Sequence, residues 1–293
     1  MTAPGFDHRR LKRSFGRAAA GYAEVAVLQR EVESRLLEQL EVLGPRVPAR
    51  VLDVGSGPGR ASGAMKRRWP RSEIIALDLA LPMLREVPKH TRWWRPVRRV
   101  CAEATQLPLA DASVDLVFSS LCLQWVPDLP AALAEFRRVL RPEGLLLFAT
   151  FGPDTLIELR EAYLEAGEPH PPLSPFAAIQ PVGDALVAAG FRDPVLGRDQ
   201  FNLTYPDVRT LLHELRAIGA NDARAQRPRG LSGKGRHALM VDAYETRRQD
   251  GRLPSGWEVI TAMAWAPPPG AARREAGVDI ASVPVDRIPI RRR

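Results

Sequence analysis

The sequence predicts an α/β fold built on a doubly wound, parallel sheet. Five short apolar runs alternate with helix-compatible stretches, which is the pattern of successive strand–helix–strand units. A glycine-rich turn follows the first run, at residues 55–59. Acidic or hydroxyl side chains stand at the ends of several runs, and ligands bind at the carboxyl ends of the strands in such sheets. The apolar runs cover residues 50–54, 74–77, 97–102, 114–118 and 145–150.

Size and composition limit the classes of protein to which the chain can belong. Its 293 residues and apolar content of 45% suffice for a substantial core. No apolar run reaches the roughly 20 residues of a membrane span, and no secretory signal is visible. Cys101 and Cys122 lie in apolar, strand-like sequence, so we interpret them as small core residues in a reducing compartment. We therefore expect a cytoplasmic protein without a metal site or a membrane span.

The chain is basic, with a net charge of +8. Its cations are scattered, apart from a cluster at residues 85–99 and three arginines at residues 291–293. An acidic partner is one interpretation of this charge, and an arginine-rich solvated surface is the other. The sequence contains no named nucleic-acid motif, so we expect no nucleic-acid partner.

The N-terminal region, residues 1–48, is predicted to be a helical extension. Residues 1–16 are polar and basic, and we expect them to be loose. From residue 17 to residue 43 the apolar residues fall in steps of three and four, which predicts one long helix ended by Gly44 and Pro45. Tyr22 lies on the apolar face of this helix, where a core contact and a functional contact are both possible.

The glycine-rich turn follows the first predicted strand and precedes a predicted helix at residues 60–69. Gly55 and Gly57 permit a tight turn and close approach to a ligand, and the free N–H groups of the helix suit an anionic group. A P-loop would need Gly-Lys-Ser/Thr, and a dinucleotide turn would need a later third glycine. The pattern D-x-G-x-G-x-G, beginning at Asp53, instead resembles the first motif of class I S-adenosylmethionine (SAM) methyltransferases. A plain tight turn is the alternative.

Further polar residues stand at strand ends near this turn. Asp78 closes the second strand about 20 positions after the glycines, where a carboxylate is placed to bind ribose hydroxyls. A helix cap is the alternative role for Asp78. Glu103 and Ser119 follow the third and fourth strands in the same way. The shared position of these residues predicts one site at the carboxyl edge of the sheet.

The remainder of the chain completes the predicted sheet and covers it. We expect a core at residues 49–150, a C-terminal part at residues 151–266 and a proline-rich, basic tail at residues 267–293. Two helices between strands 6 and 7 would form a cover over the site. The elements beyond the first strands are a helix at residues 129–140, a turn at 142–144, helices at 154–166, 183–189, 206–218 and 237–247, and strands at 192–204 and 257–265.

Several stretches outside the glycine turn narrow the resemblance. Residues 15–22, 119–125, 151–156 and 215–220 resemble malonyl-acyl-carrier-protein O-methyltransferases of biotin synthesis. Two departures concern Ser120, where such proteins commonly carry Asn, and Glu103, where Asp often meets adenine. The same stretches resemble complex I assembly factors that hydroxylate an arginine on a methyltransferase fold. That activity, and a SAM-binding assembly role without catalysis, are the alternative functions.

The resemblance implies a Rossmann-like, seven-stranded fold with an N-terminal helix and a helical cover. It also implies SAM as methyl donor and a malonyl group on acyl carrier protein as acceptor. The malonyl carboxylate is ionised at pH 7, so its methylation needs positioning rather than a general base. The cover offers Arg209, Arg216 and Arg224 to a carboxylate or an acidic carrier protein, with a solvated surface as the alternative. The expected substrate-positioning residues are Tyr22, Gln124 and Trp125, and the expected SAM contacts are Asp53, Gly55, Ser56, Gly57, Gly59, Asp78, Leu79, Glu103, Ala104 and Ser119.

Overall fold

A seven-stranded sheet forms the centre of the computed structural model, which describes residues 8–19, 21–218, 234–270, 273–275 and 278–280. Its strands are β1 (Arg50–Val54), β2 (Glu73–Asp78), β3 (Arg98–Cys101), β4 (Val114–Ser120), β5 (Leu140–Phe151), β6 (Arg192–Tyr205) and β7 (Leu253–Trp265). The order is β3-β2-β1-β4-β5-β7-β6. The first five strands are parallel, and β7 lies antiparallel between β5 and β6. The predicted α/β class and the seven strands are confirmed.

Helices pack on both faces of this sheet. In β1, Val51 belongs to one apolar cluster and Leu52 to the other, since successive side chains of a strand point to opposite faces. Both residues are fully buried, as is usual for the central strands of a parallel sheet. The helices are α1 (His8–Ala18), α2 (Tyr22–Val25), α3 (Val27–Glu38), α4 (Arg60–Arg68), α5 (Leu81–Glu86), α6 (Leu129–Val139), α7 (Ile157–Glu165), α8 (Ile179–Ala188), α9 (Val208–Ala217) and α10 (Lys234–Glu245).

The N-terminal region differs from the expectation in two ways. Residues 8–16 are helical rather than loose, because Leu11, Ser14 and Phe15 give α1 one face that packs against the protein. The expected single helix from residue 17 to residue 43 is also interrupted. Ala26, with φ −79° and ψ 57°, separates α2 from α3, and α3 continues into a 3-10 turn at Gln39–Leu43.

The C-terminal half differs in smaller details. The turn expected at residues 142–144 is a bulge inside β5, where Leu140 pairs with Val114 and Leu145 pairs with Leu116. Glu143 takes a positive φ of 60° there. Two short strands, β8 (Arg273–Glu275) and β9 (Val278–Ile280), pair within the expected tail. Residues 281–293, with the terminal arginines, lie outside the described residues.

The cysteines do not both occupy the core positions that we expected. Cys101 is exposed, because it ends the edge strand β3. Cys122 is half-buried beside Gly55. No helix among the described residues is long and apolar enough to cross a membrane.

Candidate active site

A cavity of ≈ 850 Å³, measured with its open mouth, lies at the carboxyl ends of β1 to β4. The walls are mainly apolar, with a few carboxylates and hydroxyls. The lining residues fall into three groups: strand ends and the turns after them, Val54, Gly55, Gly57, Leu77, Asp78, Leu79, Ala102, Glu103, Ala104, Thr105 and Ser120; the segment after β4, Leu121, Cys122, Trp125, Val126 and Pro127; and helical residues, Leu11, Phe15, Tyr22 and Met83.

Backbone hydrogen bonds join the glycine-rich turn to β2. Gly55 N and Ser56 N both donate to Leu77 O, at 2.8 and 3.0 Å. Gly55 has a φ of 67°, and a Cβ at this position would lie 2.4 Å from Cys122 Sγ. A side chain here would therefore be both strained and blocked. Glycine at residue 55 therefore allows the turn to take a positive φ and to pack closely against Cys122.

Asp78 lines the cavity and also holds the glycine turn in place. Its Oδ2 accepts from Gly57 N at 2.9 Å, and its Oδ1 accepts from Ala80 N at 2.7 Å. Burial raises the pKa of Asp78 to about 6, although these two backbone hydrogen bonds favour the ionised form. The second bond is a local contact just before α5, whose N-cap residue is Ala80 and has no side-chain cap, so the alternative role of a helix cap is not realised. A single carboxylate thus fixes the turn and contributes charge to the cavity.

Asp53 lies beneath the turn rather than in the cavity lining. It is buried, and its Oδ2 accepts a hydrogen bond from Ser62 Oγ at 2.5 Å, which ties β1 to α4. Burial raises the pKa of Asp53 to about 7, and the nearby carboxyls of Glu33 and Asp78 raise it further. Asp53 therefore holds β1 against α4 from behind the glycine turn and does not face the cavity.

A smaller chamber of ≈ 500 Å³ adjoins the cavity on the other side of Gly55 and Gly57. Arg60 Nε lies 2.8 Å from Glu33 Oε1, an ion-pair distance without hydrogen-bond alignment. Arg60 Nη2 also donates to Arg30 O at 2.7 Å. Burial raises the pKa of Glu33 to about 7 in spite of Arg60. The other lining residues are Tyr22, Ala26, Gln29, Ser56, Pro58, His90 and Ser120.

Ser56 provides a buried polar atom at the wall of this smaller chamber. Its Oγ has no hydrogen-bond partner among the described residues, and its side chain is 7% exposed. Because an unpartnered buried hydroxyl is costly, it favours a polar ligand group at this position. Gly59, by contrast, turns toward α5 and the residues after it, where a Cβ would lie 2.8 Å from Val87 Cγ2. Gly59 therefore serves packing rather than the cavity.

The two serines at the end of β4 have different positions. Ser119 is buried and its Oγ donates to Val54 O at 3.0 Å, so it joins β4 to β1. Ser120 lines both chambers. Ser119, an expected SAM contact, therefore does not line either chamber, whereas Ser120 does. Alternation along the strand separates the two side chains, but adjacent serines give no sign of which one faces the ligand.

Only two of the three expected substrate-positioning residues lie at the cavity. Tyr22 and Trp125 line the cavity. Gln124 is absent from the lining, because its Nε2 donates to Leu121 O at 2.7 Å and its Oε1 accepts from Thr150 Oγ1 at 3.4 Å. Gln124 therefore organises the turn after β4. Burial raises the pKa of the Cys122 thiol to about 12, so this lining residue stays protonated and offers no thiolate.

Helix α1 supplies a cavity wall that the sequence did not lead us to expect. Leu11 and Phe15 line the cavity, and the Phe15 and Trp125 rings meet edge to face with centroids 5.7 Å apart. The spacing of Leu11, Ser14, Phe15 and Ala18 would have revealed this face, had the surrounding cations not suggested a loose segment. The remaining expected contacts, Leu79, Glu103 and Ala104, lie in the lining as expected.

Helices α9 and α10 border a separate groove. Arg209 and Arg216 line it, together with Asp207, His237 and Glu245. Among the described residues, no side chain of α9 or α10 lines the main cavity. Arg224 lies outside the described residues.

Comparison with known proteins identifies relatives along almost the whole chain. Residues 52–148 match a family model described as a methyltransferase domain. The chain is 55% identical over 289 residues to a malonyl-[acyl-carrier protein] O-methyltransferase of Xylella fastidiosa, covering 98% of each protein. It is 44% identical over 278 residues to a protein of the same name from Gallionella capsiferriformans, covering 93% of this chain and 95% of the relative.

Solved structures show the same fold at low sequence identity. The YcgJ protein of Bacillus subtilis aligns with a TM-score of 0.56 and 16% identity, over 80% of this chain and 99% of that protein. Haemonchus contortus phosphoethanolamine N-methyltransferase 2, solved with S-adenosylhomocysteine, aligns with a TM-score of 0.51 and 19% identity. That alignment covers 80% of this chain and 52% of the other.

Proposed function

The chain belongs to the malonyl-[acyl-carrier protein] O-methyltransferase family, and from this we propose that its cavity methylates the free carboxylate of a malonyl thioester with SAM as donor. The observation that carries the proposal is the 55% identity over 98% of both chains to a relative of that name. Because the match extends beyond the generic methyltransferase domain at residues 52–148, it includes the segments that surround the site. The relatives therefore do not favour arginine hydroxylation or a non-catalytic assembly role.

The residues around the glycine turn fit SAM. Open space lies where a Cβ of Gly57 would stand, Ser56 Oγ has no hydrogen-bond partner among the described residues, and buried carboxyls surround the turn. Negative charge there suits a ligand that carries a sulfonium and an ammonium group. We place the nucleoside of SAM in the main cavity, against Asp78, Leu79, Glu103 and Ala104. The amino-acid end would then lie in the smaller chamber, against Ser56, Gly57 and Glu33.

Bound SAM supplies an electrophilic methyl group, and the protein has to orient the acceptor. A malonyl carboxylate is ionised at neutral pH and requires no general base. Burial, followed by the nearby charges of Glu33 and Asp78, raises the pKa of Tyr22, so its phenol stays protonated. Tyr22 can therefore act as a hydrogen-bond donor to the carboxylate, and Trp125 offers an apolar surface to the acyl arm. Orientation of this kind can lower a barrier by roughly 7–11 kcal/mol.

Two buried nitrogen donors, neither of them in the lining of the two chambers, are further candidates for contact with the malonyl carboxylate. Arg160 Nη2 on α7 and Trp257 Nε1 on β7 have no acceptor among the described residues. Hydrogen bonds join α7 to this part of β7, because Gly256 N donates to Glu158 Oε2 at 3.0 Å and to Glu158 Oε1 at 3.1 Å. The Trp257 ring also meets Phe151 at the end of β5, with centroids 5.2 Å apart. Unpaired buried donors favour an acceptor-rich ligand, and a carboxylate is such a ligand.

The acceptor in this proposal is delivered by a protein partner, acyl carrier protein. The names of the relatives specify a malonyl group on that carrier. A thioester on a protein surface can reach the cavity only if the carrier rests near its mouth. The enzyme should therefore have a surface for the carrier beside the cavity.

Incubation with methyl-labelled SAM and malonyl-carrier protein tests the proposed reaction. We expect label on the carrier, released by mild base as a methyl ester would be. Acetyl-carrier protein is the matched control and should stay unlabelled, because it has no free carboxylate. Absence of label on malonyl-carrier protein, while SAM still binds, would reject the proposal and favour an assembly role.

A further inference from the structure

Helix α1 has a strongly one-sided distribution of charge. Its sequence, His-Arg-Arg-Leu-Lys-Arg-Ser-Phe-Gly-Arg-Ala, contains no acidic residue. At 3.6 residues per turn, Leu11, Ser14, Phe15 and Ala18 fall on one side of the helix. Arg9, Lys12, Arg13 and Arg17 fall on the opposite side, and all four are exposed. We call these four residues the α1 basic face.

The apolar side of α1 is already occupied by the protein itself. Leu11 is 2% exposed, and Phe15 contacts Trp125 at the cavity. Gly16 lies against α5, where an added Cβ would be 3.3 Å from Pro82 Cγ. An amphipathic basic helix often binds a lipid surface through its apolar side. In α1 that side is unavailable, so only the α1 basic face is free to meet a partner.

The four cations of this face form no ion pair with any residue that the structure describes. Many other arginines are neutralised locally. Arg50 and Arg98 share Glu73, Arg138 pairs with Asp111 and Glu135, and Arg247 pairs with Glu161 and Glu165. The α1 basic face is therefore a concentration of uncompensated positive charge, which speeds encounter with an acidic protein.

The position of α1 connects this charge with the site. Leu11 and Phe15 line the cavity, so a protein resting on the outside of α1 is separated from the cavity by about one helix diameter, roughly 10 Å. That distance suits a partner whose substrate is carried on an arm.

Two other basic surfaces are less suitable. The groove between α9 and α10 mixes Arg209 and Arg216 with Asp207 and Glu245. The exposed pair Trp93 and Trp94, with Arg92 stacked on Trp94, precedes β3 and so lies at the amino edge of the parallel strands. The cavity is at the carboxyl edge.

We propose that the α1 basic face is the docking surface for an acidic face of the carrier protein that presents the malonyl thioester. This inference rests on the proposed function, because it takes the carrier protein as the source of the acceptor. It moves the docking surface from the cover arginines, where the sequence had suggested it, to the helix that walls the cavity. Docking there would place the thioester arm at the cavity mouth beside Phe15 and Trp125.

Charge reversal at two positions of this face tests the proposal. In the double variant Arg9→Glu/Arg13→Glu, we expect the KM for malonyl-carrier protein to rise by roughly tenfold or more, since reversed rim charges slow association. The KM for a small malonyl thioester should change less than about twofold, because that substrate does not use the face. Calorimetry should show unchanged SAM affinity, and circular dichroism should show an unchanged fold. Higher salt should reduce the difference between wild type and variant, since exposed charges are screened beyond about 8 Å.

The double variant Arg209→Glu/Arg216→Glu is the matched control, with the same change of charge on α9. We expect it to leave both KM values near those of wild type. If it raises the KM for the carrier protein while the α1 variant does not, the docking inference is overturned and α9 takes its place. If the α1 variant loses sedimentation with anionic lipid vesicles but keeps its KM for the carrier protein, the face serves a membrane and the inference also fails.

The outcomes also separate this inference from the proposed function. If the wild-type protein methylates neither the carrier-bound nor the small malonyl thioester, the proposed function fails. If it methylates both, and the α1 variant treats them alike, only the docking inference fails.

Discussion

Asp78 combines a structural role with a place in the lining of the cavity. Its carboxylate accepts from Gly57 N and Ala80 N, and it also lines the cavity. The position of the glycine turn and a negative charge in the cavity wall therefore depend on the same side chain. We therefore expect a substitution at Asp78 to reduce the affinity for SAM.

For Asp78→Asn, we expect SAM affinity to fall by about 1–3 kcal/mol, because an interaction with a charged group is lost. Isothermal calorimetry measures this directly. Asp115→Asn is the control, since Asp115 also accepts from a backbone N–H, that of Arg50, at 2.8 Å, but stands near the start of β4, away from the cavity. Equal affinities for Asp78→Asn and wild type would remove Asp78 from the binding site.

The buried carboxyls should make SAM binding depend on pH. Burial raises the pKa of Asp53 and of Glu33 to about 7 and that of Asp78 to about 6. In the ligand-free protein these groups take up protons as the pH falls through that range, and a cationic ligand favours their ionised forms. We therefore expect SAM affinity to rise as the pH increases from about 5 to about 8, with release of protons on binding.

Calorimetry in buffers of different ionisation enthalpy measures the number of protons released. S-adenosylhomocysteine is the matched control, because its sulfur is uncharged and it should show a weaker dependence on pH. Affinity for SAM that stays constant across the range, without proton release, would contradict the electrostatic role of these carboxyls.

Arg160 is the residue through which the position of the malonyl carboxylate can be tested. For Arg160→Gln, we expect the KM to rise roughly 10- to 100-fold for carrier-bound and small malonyl thioesters alike, since a charged hydrogen bond contributes about 1.5–3 kcal/mol. SAM affinity should be unchanged. Arg209→Gln, at an exposed position of α9, is the control. A KM near that of wild type for Arg160→Gln would exclude Arg160 as a contact of the carboxylate.

Some site residues could be predicted from the sequence and others could not. A carboxylate at the end of a parallel strand has one edge of the sheet to face, so Asp78 and Glu103 were correctly placed at the cavity. Ser119 and Gln124 stand in equally suitable stretches, yet they bond to Val54 O and Leu121 O. Which of two neighbouring polar residues faces a ligand depends on local rotation of the backbone, and no spacing rule records it.

At the level of elements, α1 connects the N-terminus with the active site. It packs on α5 and reaches Trp125 through Phe15. A helix of this length is marginal in isolation, so its order depends on these contacts. Weakening them should loosen the helix and open one wall of the cavity.

For Phe15→Ala, we expect the free energy of unfolding to fall by about 2 kcal/mol, which is below the value for a fully buried phenylalanine because Phe15 is half-buried. SAM affinity should fall with it, since Phe15 lines the cavity. Thermal unfolding and calorimetry measure the two effects. Trp93→Ala removes a side chain that is 86% exposed and should change neither. Unchanged SAM affinity in Phe15→Ala would mean that α1 is not a functional wall.

The elements of the core were the most predictable part of the chain. The strand predicted at residues 50–54 is β1 without any shift of its ends, because an apolar run bounded by a glycine turn has few alternatives. The order of β6 and β7 was not predictable in this way, since pairing between β5 and β7 joins residues about 110 positions apart. The bulge at Glu143 was mistaken for a turn because both use the same residue types.

At the scale of the whole molecule, acidic neighbours balance some parts of the positive surface and not others, within a net charge of +8. Ion pairs with acidic neighbours occupy many surface arginines, and the α1 basic face is left open beside the cavity. In our proposal, the fold brings together a cavity for SAM, a wall for the acyl arm, and a charged surface for the protein that carries it. The central claim is that these parts serve methylation of a malonyl carboxylate.

Intact-mass and tandem mass spectrometry of malonyl-carrier protein after incubation with the enzyme and SAM test that claim most directly. We predict that the carrier gains the mass of one methylene group, and that the fragment containing its prosthetic arm carries this mass on the malonyl group. An omission of SAM should abolish the gain. A carrier protein of unchanged mass, in the presence of enzyme that binds SAM, would contradict the claim.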